Sequence, residues 1–487
     1  MSTQSQANIS DFFGQFSADN LKQDDSRNVL LVEQRSELKE AVSPKTPKGE
    51  QIIRKKARRL GLRLQSKDVK EITEELDAMA WDYEQKQIAS SIRYALSGDG
   101  ESSIIDLNNG HIVQLNAEKV EVLDTMPTAN QDVYFSRPSF QLEMMKPDLS
   151  KENFAEGLKK LRQFINTDTN TFFLVVAYIT YLMAHPKAKG VPYPILMIQG
   201  EKGAGKSFFC NNVLRGLVDP SSISALALTR KQDDFVITIN GMFLAVFDNL
   251  RSLTKAQSDL LCTTATKGST AKRTLYTTSE LTLMELHSPL VLNGIHDFVK
   301  ESDLASRCLR VSLHPMKEQE RRAEQELKAD LAAAMPEIFG SLLKLASKSM
   351  AELPNVEVKY AARMMDFSKW LAALERVLNN IEEGQLQKVY RANVKALMAS
   401  GTADDSLTIA LKKLIEETGK GKAWKSSSSA LLSKLNQFED SMYLPKGAGA
   451  LSAKIKGQES SLNANGIFFK IGRDADRYIA VSDTPFN

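Results

Sequence analysis

The octapeptide GEKGAGKS, Gly200 to Ser207, constrains this chain more than any other stretch, because it follows the apolar run PILMI at 194–198 and precedes a helical pattern. It fits the spacing G-x-x-x-x-G-K-[ST]. Glycines at 200, 203 and 205 let the backbone curl until successive N–H groups converge on phosphate oxygens, and the helix that follows adds its positive end. Lys206 then meets the β and γ phosphates and Ser207 holds a magnesium ion. ATP and Mg²⁺ are therefore the expected cofactors. Their cradle is Gly200, Glu201, Lys202, Gly203, Ala204, Gly205, Lys206, Ser207 and Phe208.

Further along, the apolar run MFLAVFDN ends in Asp248, where a carboxylate would reach the same metal. The next position, often a Glu that orients water, is Asn249. An amide orients water but cannot take its proton. The catalytic base is left open, with Glu201 and Glu280 as candidates against their reading as solvated surface acids. PLVLNGI puts Asn293 at the end of a third apolar run, as a sensor of the γ phosphate. SDLASRCLRV offers Arg307 and Arg310. Arg307 is read as a finger that projects into a neighbour's nucleotide, against the alternative that it pairs with Asp303 or Glu301 in its own chain.

A length of 487 residues predicts about three folded units. With 63 Lys+Arg against 60 Asp+Glu, the chain is no polycation, so any nucleic-acid affinity must be local. Cys210, Cys262 and Cys308 match no zinc or disulfide spacing. The most apolar run, 171–184, is short for a bilayer span. With no signal-like N-terminus, a cytoplasmic protein without a membrane partner is expected.

The pattern divides into a flexible arm (1–65), a small unit of helices and a β-meander (66–147), an α/β P-loop core with a largely parallel sheet (148–348), a helical linker (349–404) and a C-terminal helix-helix-helix-hairpin unit (405–487). That last outline is a winged helix. Its third helix, 448–458, would offer Lys454 and Lys456, with Ser452 and Gln458, to DNA; docking to protein is the alternative. In the arm, Gln6, Ile9, Phe12 and Phe13 have the spacing of a clamp-binding peptide, and eight basic residues within 45–65 form either a phosphate grip or a solvated linker. Between Asp248 and Asn293, a hairpin carries Lys267, Lys272 and Arg273, placed to follow a phosphate backbone or simply to stand exposed.

Taken together, the elements HIVQL, VYFSRP, PYPILMIQGEKGAGKS, FLAVFDNL, RTLYTTSE, SPLVLNGI, DLASRCLRVSL and the C-terminal LPKGAGALSAKIKG and GIFFKIGRDADRYIAV resemble AAA+ ATPases of the helicase type. They are similar to self-loading replicative helicases of bacterial mobile elements and phage satellites. The resemblance, running from about residue 104 to 481, implies a hexameric ring that binds ATP between subunits and separates single-stranded or forked DNA at an origin. It implies nucleotide and metal roles for Lys206 and Ser207, a Walker B role for Asp248, a sensor role for Asn293 and a finger role for Arg307. A nucleotide-gated initiator or defence ATPase with slow turnover, or a helicase loader, is the alternative.

Overall fold

The alternation of side chains along four apolar strands sets the architecture. In β1 (Ile195–Gln199), Leu196 and Ile198 face one way while Ile195 and Met197 face the other, and both sets are buried. A strand buried on both faces needs a layer on each side. The computed structural model supplies both; it describes residues 11–24, 28–35, 38–82, 87–127, 130, 132–273, 281–294, 298–315, 322–403, 405–474 and 476–486. β2 (Ala245–Leu250), β3 (Leu290–Gly294) and β4 (Cys308–Ser312) join β1 in the order β2-β3-β1-β4, every pair parallel.

One face packs on the helix Thr169–Ala184, whose N-terminus is capped by the Asp168 side chain accepting from Thr171 N. Behind it stand the helices Glu324–Glu352, Met365–Val377 and Gln385–Thr402. Trp370, Leu371 and Tyr390 of the latter two are fully buried in the same cluster as Leu196, Val246 and Leu309. The stretch expected as a linker, as far as residue 403, is thus part of the core layer: an exposed tether would not enclose a tryptophan whose Nε1 donates to Thr180 Oγ1 at 3.1 Å. The other face is covered by Phe235, Leu261 and Leu304.

The N-terminal region also departs from expectation. Residues 11–24, 28–35 and 38–65 are folded. Antiparallel strands Leu21–Gln23, Val29–Arg35 and Leu38–Val42 carry the helices Pro47–Arg59 and Ser66–Asp82, and Phe12, Phe16, Leu31, Ile53 and Leu76 close a small core. Polar composition hid it because the core residues are few and widely spaced. Gly49 is required there, since a Cβ would lie 2.6 Å from Pro44 Cα. Apolar Ile88, Ile92 and Leu96 continue the helical spacing of Val69, Ile72, Leu76 and Met79, yet after the helix Ser66–Asp82 the residues Ser90–Ser91 and Tyr94–Leu96 are strands.

Tyr94–Leu96, Ser103–Asp106, Ile112–Leu115 and Val120–Leu123 form an antiparallel meander in sequence order. Buried ion pairs fasten it to the core. Arg93, fully buried, bonds Asp219 Oδ1 at 3.2 Å and Asp106 O at 2.8 Å, and Arg137 Nε reaches Asp106 Oδ2 at 2.7 Å. Asp219 Oδ2 also accepts from the backbone N–H groups of Phe243 and Leu244, just before β2. Such a network strands charges if one member is removed.

The C-terminal unit has the helices Ser406–Thr418, Ser428–Leu435, Ala448–Gly457 and a short Glu459–Ala464, then a three-stranded sheet in which Arg477–Ser482 lies between Trp424–Ser426 and Phe468–Arg473. Its own core gathers Leu411, Leu431, Leu451, Ile455 and Val481. No helix among the described residues is long and apolar enough to cross a membrane.

Candidate nucleotide-binding site

The glycine-rich loop leaves β1 at its C-terminal end. Gly200, Gly203 and Gly205 have φ of 154°, 86° and 81°, values that side chains with a Cβ rarely adopt. A Cβ on Gly200 would also meet Leu313 O at 2.8 Å. Within this curl the Lys206 ammonium donates to Gly200 O at 2.7 Å and Glu201 O at 2.9 Å. It is held by neutral carbonyls, which an anion can outcompete.

β2 approaches the loop with an irregularity. Phe247 pairs with Leu292 but Leu250 pairs with Gly294, so β2 spends one more residue than β3 over the same span. Bulges re-aim side chains in this way. Asn249, at φ 59°, is the residue that takes up the turn, and its N–H donates to Asp248 Oδ1 at 2.6 Å. The same oxygen accepts from Asn293 Nδ2 at 2.6 Å. Asn293 is 2% exposed, and its Oδ1 has no hydrogen-bond partner among the described residues.

These residues line one open cleft of about 850 Å³: Lys202, Gly203, Gly205, Lys206, Ser207, Phe208, Asp248, Asn249 and Asn293 all border it. Gly200, Glu201 and Ala204 complete the loop, Glu201 exposed and Ala204 buried beneath it. Sequence reasoning missed Asn211 and Asn212, which border the cleft from Phe209–Leu214, a segment wound as a π-helix. A wider turn presents side chains that an α-helical wheel assigns elsewhere. It also missed Arg322 and Lys328, at the start of the Glu324–Glu352 helix and more than a hundred residues away in sequence; they pair with Asp330 and Glu324 at 2.5 and 2.7 Å.

The cleft fits a magnesium nucleotide. It offers a glycine-rich loop, an ammonium on weak partners, a hydroxyl at Ser207 and a carboxylate at Asp248. Mg²⁺ is commonly held by one or two carboxylates together with phosphate oxygens. Among the described residues no group of three or more His, Cys, Asp or Glu gathers as a metal site. All three cysteines are buried as free thiols; burial pushes Cys210 and Cys262 up to about 12.

Other expected residues lie elsewhere. Arg307 precedes β4 at the opposite end of the sheet: Ile195, the first residue of β1, donates its N–H to Arg307 O at 2.9 Å. It is 8% exposed and meets Asp303 Oδ1 at 2.7 Å, an oxygen that Arg363 shares at 2.7 Å. The within-chain pairing is therefore present, and Arg307 takes no part in its own cleft. The guanidiniums on either side hold the Asp303 carboxyl below its usual range against the opposing effect of burial.

The hairpin pairs Gly268–Arg273 with Leu281–Leu286. Lys267 stands at its base, 3.6 Å from Glu285, while Lys272 and Arg273 fall at the far end of the ladder; Glu280 lies outside the described residues. In the C-terminal unit, Lys454 is tied to Asp405 at 2.9 Å and Ser452 to Ser428 at 3.0 Å. Lys456 instead borders an open groove with Phe469, Lys470, Arg473 and Arg477. Those three hairpin cations were missed, although their places on two paired strands are readable in the sequence.

The peptide reading of the N-terminus is overturned where it can be tested. Phe12 is 1% exposed and packs edge-on to Phe13 and Phe16, at 5.4 Å each. A ring sealed in its own core cannot insert into a clamp; Gln6 and Ile9 lie outside the described residues.

The family described as actinomycete integrative conjugative element replication protein matches residues 156–399, half of the chain. The chain belongs to this family. The replication-protein match takes in all four strands of the sheet and the hairpin, and ends at residue 399 within the helix Gln385–Thr402. It leaves the meander, the N-terminal unit and the C-terminal unit outside. No curated protein matches the chain. Among solved structures, the C-terminal region of NrS-1 aligns over 76% of this chain and 93% of its own, at 12% identity and a TM-score of 0.33. JCV helicase aligns over 50% of this chain and 65% of its own, at 14% identity and a TM-score of 0.26.

Proposed function

We infer that this chain is an ATP-dependent DNA helicase or translocase that works as a ring, with six subunits as the expected number, in replication of a mobile element. The observation that carries the reading is the meeting of Lys206, Ser207, Asp248 and Asn293 around one cleft at the C-terminal edge of a parallel sheet. Family membership as a replication protein supplies the process. ATP and Mg²⁺ are the proposed cofactors, with the loop N–H groups and Lys206 binding phosphate and Ser207 and Asp248 holding the metal.

Within that scheme, Asn293 fixes the Asp248 carboxylate and leaves its own Oδ1 to orient a water or a phosphate-bound proton. The finger role for Arg307 requires it to leave Asp303 for a neighbour's cleft. Lys272 and Arg273 on the hairpin follow the single-stranded backbone, and the C-terminal unit acts as a winged helix whose DNA face is Lys456 with the hairpin cations rather than Lys454. A cytoplasmic location accords with these roles.

Asn249 favours a second reading, a nucleotide-gated initiator with slow turnover, because no carboxylate occupies the position after Asp248. Forked DNA with 3′ or 5′ tails separates the two: ATP-dependent strand separation that Lys206→Ala abolishes supports the motor, and tight ATP-dependent DNA binding with negligible turnover supports the switch.

A further inference from the structure

Eight basic residues lie between Lys45 and Arg63, and the fold sorts them into two groups. Lys48 pairs with Glu40, Lys56 with Glu33 at 3.3 Å, and Lys45 with Asp77 at 4.0 Å. Those three serve the unit's own stability. Arg54 is partly tied, donating to Leu64 O at 2.6 Å. Lys55, Arg58, Arg59 and Arg63 are exposed, and among the described residues none has an acidic partner.

The second group is not scattered. On the helix Pro47–Arg59, Gly49, Ile53 and Ala57 are buried against Phe12, Phe16 and Leu76, so the helix is fixed by its apolar stripe. Gln51, Arg54, Lys55, Arg58 and Arg59 then share the opposite face and border an open groove of about 530 Å³. Residues four apart on one helix face rise about 6 Å. Arg54 also meets Glu50 at 4.0 Å, one turn back on the helix, but Lys55, Arg58 and Arg59 have no such partner among the described residues; cations at that spacing repel one another in the free protein, and a polyanion relieves the repulsion.

We propose that this helix face is a second nucleic-acid surface, separate from the motor, that grips the phosphate backbone of duplex DNA. The face carries no aromatic side chain. Single-strand binders rely on aromatic platforms for stacking, so this surface is limited to phosphate contacts. Phosphate-only binding gains most from the duplex, whose charge density is higher and whose counterion release per contact is greater. The surface holds the parental duplex while the P-loop core acts elsewhere. This goes beyond the motor reading and does not depend on it.

The test uses the full chain without nucleotide and a fluorescein-labelled blunt duplex, followed by anisotropy across a salt series. The Lys55→Glu/Arg58→Glu/Arg59→Glu variant is expected to lose at least about tenfold in duplex affinity near 0.1 M salt, and the slope of log K against log salt is expected to fall by about 2 to 3. A neutral Gln triple should lie between it and the parent, and Lys206→Ala should bind duplex like the parent. Basal ATP turnover should be unchanged in the triple variants, which separates failure here from failure of the motor. Unchanged affinity and slope overturn the proposal, as does a larger loss on single strand than on duplex. Displacement of the duplex by polyglutamate at equal charge concentration also overturns it, in favour of an acidic protein partner.

Discussion

The amide nitrogen of Asn293 stands 2.6 Å from Asp248 Oδ1, and the N–H of Asn249 stands 2.6 Å from the same oxygen. Two strands distant in sequence thus aim one carboxylate. Charge developing near it would meet a group that needs no reorganisation. Asn293→Ala should lower ATP turnover by about a hundredfold, the scale of losing one preorganised donor, with nucleotide binding little changed. Single-turnover kinetics beside equilibrium nucleotide titration checks this.

Lys206→Ala removes the ammonium but no core contact, since its partners are the loop's own carbonyls. Nucleotide-dependent activity should vanish while the unfolding free energy, read by urea titration, changes by no more than a surface substitution does, about 0.5 kcal/mol. A large loss of stability would show that the lysine braces the loop instead of serving a ligand.

Asn249 sits at φ 59°, where Asn and Gly are tolerated and other residues pay about 1 to 2 kcal/mol. Asn249→Gly should leave stability near the parent and Asn249→Ala should lower it by about 1 kcal/mol, read by urea unfolding. Equal effects of the two would mean that the bulge does not force the backbone.

Phe12→Ala should destabilise the N-terminal unit by about 3 to 5 kcal/mol, as expected for emptying a buried aromatic site. Hydrogen exchange should accelerate in Pro47–Arg59 and Ser66–Asp82 and stay slow in β1 to β4. Uniform acceleration would mean that the two cores unfold together.

His185 is buried beside Trp370 and Tyr181, and burial lowers its pKa to about 3. The unfolded chain binds a proton near the ordinary histidine value of about 6.5 while the folded chain does not. Stability from this group is therefore present above about pH 6.5 and lost progressively as pH falls toward 3. His185→Phe should flatten part of that acid limb in pH-dependent urea unfolding; an identical limb would assign it to carboxylates.

The cleft was legible because its chemistry is written in short contiguous strings: GEKGAGKS, VFDN and VLNG each end an apolar strand. What escaped was built from separated residues. The π-turn that brings in Asn211 and the helix start that brings in Arg322 leave no local signature, since both depend on packing of distant elements. The N-terminal core was misread for the opposite reason: its two phenylalanines match a short motif, and burial, which sequence cannot show, decides between peptide and core.

Asp303 faces two guanidiniums, Arg307 and Arg363, through one oxygen. Either arginine can depart and leave behind a balanced pair instead of a lone anion. The electrostatic cost of freeing Arg307 is thereby lowered in advance, and Arg363, ordinary in its surroundings, becomes the residue that decides how readily its neighbour can reach outward.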